Sequence, residues 1–263
     1  MTEAGAGSFG ANPSFFDLAR DRGMGAPGPT TSLEGAGIAP PHGTTVLALR
    51  FADGIVMAGD RRAVEGTAVA DRRMDKVFPA DDFSTVAVAG VAAQAIELVR
   101  LFQTELEHYE KVEGEGLSLD GKANRLAQMI RAWMPLVMQG LIVVPIFAGY
   151  DLARSEGRIY RYDVIGGRYE EIDFHATGSG GRDAKGSLKK RYRDGLDRDE
   201  AVRVAVEALL DASEEDTATG GPDPRRGIYP TVYVVTAEGA DRVPEDEVQR
   251  AFEQVLEHRT ETG

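Results

Sequence analysis

The 263-residue chain is long enough for one large domain or two small ones, and its 42% hydrophobic and 28% charged residues mark a globular protein. It contains no cysteine, which removes disulfides, thiolate nucleophiles, Cys-ligated zinc and iron–sulfur clusters. The formal net charge of −13 opposes phosphate backbones, and His42, His108, His175 and His258 include no H-x-x-x-H pair, so neither nucleic-acid binding nor zinc-protease chemistry is expected.

Along the chain, Met1 to Gly10 carries neither a basic cluster nor an apolar run, and the longest apolar stretch, 141–148, is interrupted by Pro145. No secretory signal or membrane span is expected, and the expected location is the cytoplasm. In the first 43 residues, 14 positions are Gly or Pro. Such a segment buries too little apolar surface to offset its chain entropy and reads as a disordered tail or a removable pro-segment. One island within it, Ser14 to Arg20, has the makings of a helical turn or a docking element.

After residue 43 the pattern tightens. Thr45–Arg50 and Gly54–Gly59 read as a hairpin turning at Ala52-Asp53-Gly54, and Thr85–Ala89 as a third strand. Apolar residues then recur at helical spacing in Val91, Ala95, Leu98, Val99, Phe102, Leu106 and Tyr109, and again in Ala123, Leu126, Ala127, Ile130 and Met134. Strands are expected at Val143–Tyr150, Arg158–Val164 and Arg168–Thr177, helices at Arg182–Arg193 and Asp199–Ser213, a strand at Pro230–Thr236 and a helix at Glu245–Glu257. Strands in clusters and helices in pairs argue against βαβ alternation and for layered sheets with helices outside, all within one domain, 44–263.

Two motifs are decoys. Gly5 to Gly10 fits G-x-G-x-x-G, but no strand precedes it and no helix follows. Thr177 to Gly181 sits at a strand-to-helix junction without matching G-x-S-x-G, and no histidine lies in a triad context. The composition boundary, His42-Gly43-Thr44-Thr45-Val46, is more informative. Taken alone, a threonine opening a strand is ordinary. Exposed as a new N-terminus by cleavage after Gly43, however, Thr44 would carry a hydroxyl and an α-amine of pKa about 7.7–8.0 on one residue, so nucleophile and base need no assembly. Its β-branch restricts the direction of Oγ.

Thr44-Thr45-Val46, Gly59-Asp60-Arg61-Arg62, Asp75-Lys76-Val77-Phe78, Ala89-Gly90, Gly178-Ser179-Gly180 and Asp216 to Gly221 follow one another at the spacing of proteasome β-subunits. The chain resembles that family over 44–263, and the Arg-Arg pair, the Glu105–Lys111 run and the Gly220-Gly221-Pro222-Asp223 turn resemble its actinobacterial 20S branch. The resemblance implies an α+β fold, the four-layer αββα sandwich of N-terminal-nucleophile hydrolases, and a propeptide, 1–43, removed by self-cleavage between Gly43 and Thr44. It implies that Thr44 is the nucleophile, Lys76 lowers the pKa of its hydroxyl and amine, Asp60 holds Lys76, and Ser179, Asp216 and Thr219 support the amine. Thr219 stands where relatives often have serine, which keeps the hydroxyl.

By the same resemblance Gly90 offers its N–H to the oxyanion, and Ala63, Met74, Phe78, Val88, Ala92 and Ile96 line the pocket for the residue before the cut. All six are apolar, so bulky apolar side chains are expected to be preferred over acidic ones. No metal or organic cofactor is implied. The implied partners are other β-subunits and α-subunits in stacked seven-membered rings, a ring ATPase acting through the α rings, and proteins tagged with a prokaryotic ubiquitin-like protein. Three rivals remain: the bacterial relative built of six-membered rings, which has almost no pro-segment; a silent subunit lacking nucleophile or lysine; and an amidase of the same superfamily acting on small molecules.

Overall fold

The computed structural model describes residues 43–262. The island at 14–20, the glycine motif at 5–10 and the rest of the expected propeptide up to residue 42 lie outside the described residues.

Two five-stranded antiparallel sheets stack face to face. In the first the order is β10 (Phe174–Gly178), β1 (Thr45–Phe51), β2 (Gly54–Gly59), β11 (Thr231–Thr236) and β12 (Gly239–Arg242). In the second it is β5 (Val77–Asp81), β6 (Ser84–Gly90), β7 (Val143–Asp151), β8 (Glu156–Tyr162) and β9 (Arg168–Glu171). A short hairpin of β3 (Ala63–Glu65) and β4 (Ala68–Asp71) stands apart.

Alternate residues of β1 face opposite ways, so one strand serves two cores. Val46 and Ala48 join Ile55, Met57, Ala87, Ile146 and Ile159 in a cluster between the sheets. Leu47 and Leu49 join Val56 and Ala58 on the far side, against α4 (Gly181–Arg191), α5 (Arg198–Glu215) and α6 (Glu245–Thr262). The outer face of the second sheet, with Val86, Val88, Phe147 and Tyr160, packs on α1 (Ala92–Glu113) and α2 (Leu119–Ala132). The result is helices, sheet, sheet, helices: the four-layer sandwich. Burial on both faces explains why β1 and β2 read as continuous apolar runs rather than as polar–apolar alternation.

Local signals set the helix ends. Gly114 closes α1 in the left-handed region at φ 79°, Ser118 caps α2 through the Gly121 N–H, and Asp197 and Glu200 form a reciprocal capping box on α5. Among the described residues no helix is long and apolar enough to cross a membrane.

The expected elements need four corrections. The strand expected over 168–177 is two strands, β9 and β10, in different sheets. β3, β4, β5 and β12 were not anticipated; Ala68–Asp71 is exposed throughout, and Pro79 interrupts β5. The second apolar helix stops at Ala132, and a separate turn, α3 (Met134–Val137), follows with Pro135 in its first turn. The last helix runs five residues past Glu257.

Candidate active site

Strand register builds the site. β1 pairs with β10 on one side, Thr45 opposite Gly178, and with β2 on the other, Val46 opposite Gly59. Thr44, one residue before β1, therefore lies between the ends of β10 and β2, and the next residues on those strands are Ser179 and Asp60. The Ser179 N–H donates to the Thr44 carbonyl at 2.9 Å, and the Asp60 N–H to the Thr45 carbonyl at 3.0 Å.

Asp60 is fully buried and its carboxylate takes four donors. Oδ1 accepts from the Thr45 N–H at 2.8 Å and from Lys76 Nζ at 2.7 Å. Oδ2 accepts from the Arg62 N–H at 2.9 Å and the Gly220 N–H at 2.8 Å. Burial of a charge without such partners would be prohibitive.

Lys76, just before β5, is 2% exposed and spends its ammonium on three acceptors: Asp60 Oδ1, the Arg62 carbonyl at 2.5 Å and the Gly43 carbonyl at 3.5 Å. Burial pulls the lysine below its ordinary pKa, against the opposing pull of the Asp60 carboxylate. A lysine eased toward deprotonation next to the Gly43–Thr44 bond is equipped to move a proton there.

The nitrogen side of Thr44 has its own network. The Thr44 N–H donates to Ser179 Oγ at 3.2 Å, and Ser179 Oγ donates to Asp216 Oδ2. Thr219 Oγ1 also donates to Asp216 Oδ2, at 2.6 Å. Asp216 caps the C-terminus of α5, the negative end of the helix dipole, where a carboxylate is disfavoured. Burial also raises its pKa, but the Ser179 and Thr219 hydroxyls and the Ala218 and Thr219 N–H groups outweigh this and leave it below the usual value.

The six residues that the resemblance assigns to the site, Thr44, Asp60, Lys76, Ser179, Asp216 and Thr219, thus join in two connected networks. Gly90 ends β6 at φ +122°, and a Cβ there would fall 2.1 Å from the Ile142 carbonyl oxygen, so the backbone alone requires glycine. Gly43 is equally constrained: a Cβ on it would come 1.8 Å from the Ala218 Cβ.

The six residues expected to line a substrate pocket are spread over Ala63 in β3, Met74 before β5, Phe78 in β5, Val88 in β6, and Ala92 and Ile96 in α1. Val88 is buried in the cluster beneath α1 and α2, and Phe78 packs against it. A separate cleft, lined by none of these six, is formed by Arg61, Arg62, Arg72, Gly220, Gly221 and Asp223 together with Ile228, Tyr229 and Pro230. Among the described residues no group of three or more His, Asp or Glu is placed to hold a metal.

Sequence reasoning missed three contributors. Arg62 acts through its main chain, accepting from Lys76 and donating to Asp60, while its guanidinium reaches the Thr217 carbonyl at 2.8 Å. Gly220 donates a backbone N–H to Asp60. Thr45, noted only as part of the Thr-Thr pair, bonds Thr219 Oγ1 at 2.6 Å. Backbone groups leave no trace in residue type, but the Thr-Thr pair at a strand start was visible.

A family model described as "Proteasome subunit" matches residues 41–223. A "Proteasome subunit beta" of Acidimicrobium ferrooxidans is 56% identical over 234 residues, covering 88% of this chain and 86% of that protein. Another, from Acidothermus cellulolyticus, is 56% identical over 223 residues, covering 83% and 77% respectively. With its four-layer sandwich and these relatives, the chain belongs to the proteasome subunit family, as a β-type subunit of the 20S particle.

Proposed function

We propose that this chain is a threonine endopeptidase that activates itself by cleaving between Gly43 and Thr44, releasing residues 1–43 as a propeptide and leaving 44–263 as the peptidase domain. The observation that carries the reading is the buried Lys76–Asp60 pair, whose ammonium lies 3.5 Å from the Gly43 carbonyl oxygen.

In the precursor, Thr44 Oγ attacks the Gly43 carbonyl carbon and its proton passes to the neighbouring base. The C–N bond breaks, the proton goes to the departing nitrogen, and an ester links Gly43 to Oγ. That bond cleavage frees the α-amine of Thr44, and water then hydrolyses the ester, releasing residues 1–43 as a carboxylic acid and restoring the Thr44 hydroxyl. Gly43 suits the step because Ala218 leaves no room for a side chain.

In the mature enzyme, Thr44 Oγ attacks a peptide carbonyl. The α-amine, held by Ser179, and Lys76, held by Asp60, are the groups that take the hydroxyl proton and return it to the leaving amine. The Gly90 N–H meets the oxyanion. Water then cleaves the acyl-enzyme. No metal or organic cofactor enters any step.

Ala63, Met74, Phe78, Val88, Ala92 and Ile96 form the pocket before the cut, favouring bulky apolar side chains. The enzyme works in the cytoplasm inside stacked seven-membered rings of β- and α-subunits, fed by a ring ATPase with proteins carrying a prokaryotic ubiquitin-like tag. Large apolar side chains left open at Met138, Leu152, Ile165 and Ile172 support burial against partner subunits. The test is hydrolysis of fluorogenic peptides by the assembled particle. Wild type should cleave after Leu or Tyr faster than after Glu, and Thr44→Ala should cleave neither; faster cleavage after Glu would overturn the pocket assignment, and an active Thr44→Ala the nucleophile.

A further inference from the structure

Thr45 has no part in the steps above, although it is fully buried. Its Oγ1 accepts from the Gly180 N–H at 3.0 Å and lies 2.6 Å from Thr219 Oγ1. Thr219 Oγ1 lies 2.6 Å from Asp216 Oδ2, and an ionised carboxylate only accepts. The one hydroxyl proton of Thr219 therefore goes to Asp216, and Thr45 is the donor to Thr219. Ser179 gives its hydroxyl proton to the same Asp216 oxygen, which turns its lone pairs toward the Thr44 nitrogen. Each hydrogen from Thr45 to Thr44 has a single direction.

We propose that Thr45 is a positioning residue of the site: by donating to Thr219 it fixes the Asp216–Ser179 end of the network that holds the Thr44 amine. The proposal rests on the threonine-peptidase reading. Without the Thr45 hydroxyl, the Gly180 N–H and one side of Thr219 lose their buried partners. Hydrogen bonds in a chain reinforce one another, so the Thr219 donation to Asp216 weakens as well. A less engaged Asp216 draws Ser179 and the mature ammonium more strongly, and the amine pKa rises. The other charged groups facing this region are Asp60 after β2, Arg62 before β3 and Lys76 before β5. Substitution at position 45 changes none of them.

The experiment compares wild type, Thr45→Val and Thr45→Ser in particles assembled with α-subunits, reading kcat/KM for a fluorogenic peptide against pH. Thr45→Val should lose about tenfold or more, and its acidic limb should move up by about half a pH unit. Thr45→Ser should keep the wild-type limb and most of the rate. A Thr45→Val enzyme whose limb coincides with wild type, at any rate, makes Thr45 a packing residue and overturns the proposal. If Thr45→Val does not assemble, Thr45→Ala carries the same reading; if neither assembles while Thr45→Ser does, the hydroxyl serves folding and the proposal falls. Wild type that neither exposes Thr44 nor cleaves peptide defeats the parent reading instead, and this one with it.

Discussion

Asp60 Oδ1 and Lys76 Nζ meet at 2.7 Å with 0% and 2% of their side chains exposed. A buried ion pair of this kind gains little net stability over an apolar pair, yet breaking it leaves one charge stranded. The two ends are unequal. Asp60 keeps three backbone N–H donors if the lysine is removed, whereas Lys76 keeps only carbonyls if the aspartate is removed. Lys76→Met should therefore fold and assemble but retain residues 1–43 and, with no free Thr44 amine, show no peptidase turnover. Asp60→Ala should destabilise the chain by about 3–5 kcal/mol, read as a lowered thermal midpoint. Wild-type turnover in Lys76→Met would contradict the proton-transfer role.

The contact between Gly43 and Ala218 yields a paired test. Gly43→Ala would place its Cβ 1.8 Å from the Ala218 Cβ, so the scissile carbonyl is pushed from its place and self-cleavage should stall. Ala218→Gly in the same chain removes the 1.8 Å contact but leaves the residue-218 Cα at 2.8 Å, so processing should recover only in part. Intact mass after assembly reads both; no rescue would mean that the block at Gly43→Ala has another origin.

How much of this was legible beforehand differs from element to element. The hairpin of β1 and β2 announced itself through its Ala52-Asp53-Gly54 turn, and α1 and α2 through apolar spacing, because their inner faces are buried in one continuous cluster. The β3–β4 hairpin lacks such a face, and the passage from β9 to β10 changes sheets at a turn that residue types do not distinguish from a strand interior. Within the site, Thr44, Asp60, Lys76, Ser179, Asp216 and Thr219 were named from family spacing. The Arg62 carbonyl and the Gly180 and Gly220 N–H groups are main-chain partners, and only the folded path of the backbone brings them in.

Gly90→Ala separates backbone strain from chemistry. At φ +122° with the Ile142 carbonyl 2.1 Å from the added Cβ, the substitution should cost more than about 1 kcal/mol and lower the thermal midpoint by about 3 °C or more. Peptidase kcat should fall as well, because relief of the clash moves the N–H assigned to the oxyanion. An unchanged midpoint would contradict the backbone account.

Asp216 gives a pH test with a defined sign. Its folded pKa lies below the ordinary 3.8, so the unfolded chain holds more protons as acid is approached. The stability it contributes is complete above that value and is lost as the pH falls through the folded pKa. Between about pH 4 and pH 3 the thermal midpoint of wild type should drop faster than that of Asp216→Asn, which has no carboxylate to protonate. Parallel acid slopes would remove Asp216 from the groups that govern acid stability.

The proposed mechanism depends on Thr44 itself cutting the Gly43–Thr44 bond. The most direct measurement is the N-terminal sequence and intact mass of this chain after assembly with α-subunits, for wild type and Thr44→Ala. The expected result is wild type beginning at Thr44 and Thr44→Ala retaining residues 1–43. A wild-type chain that keeps Met1 in the assembled particle has no free amine on Thr44 and contradicts the claim, as does a Thr44→Ala chain processed at the same bond.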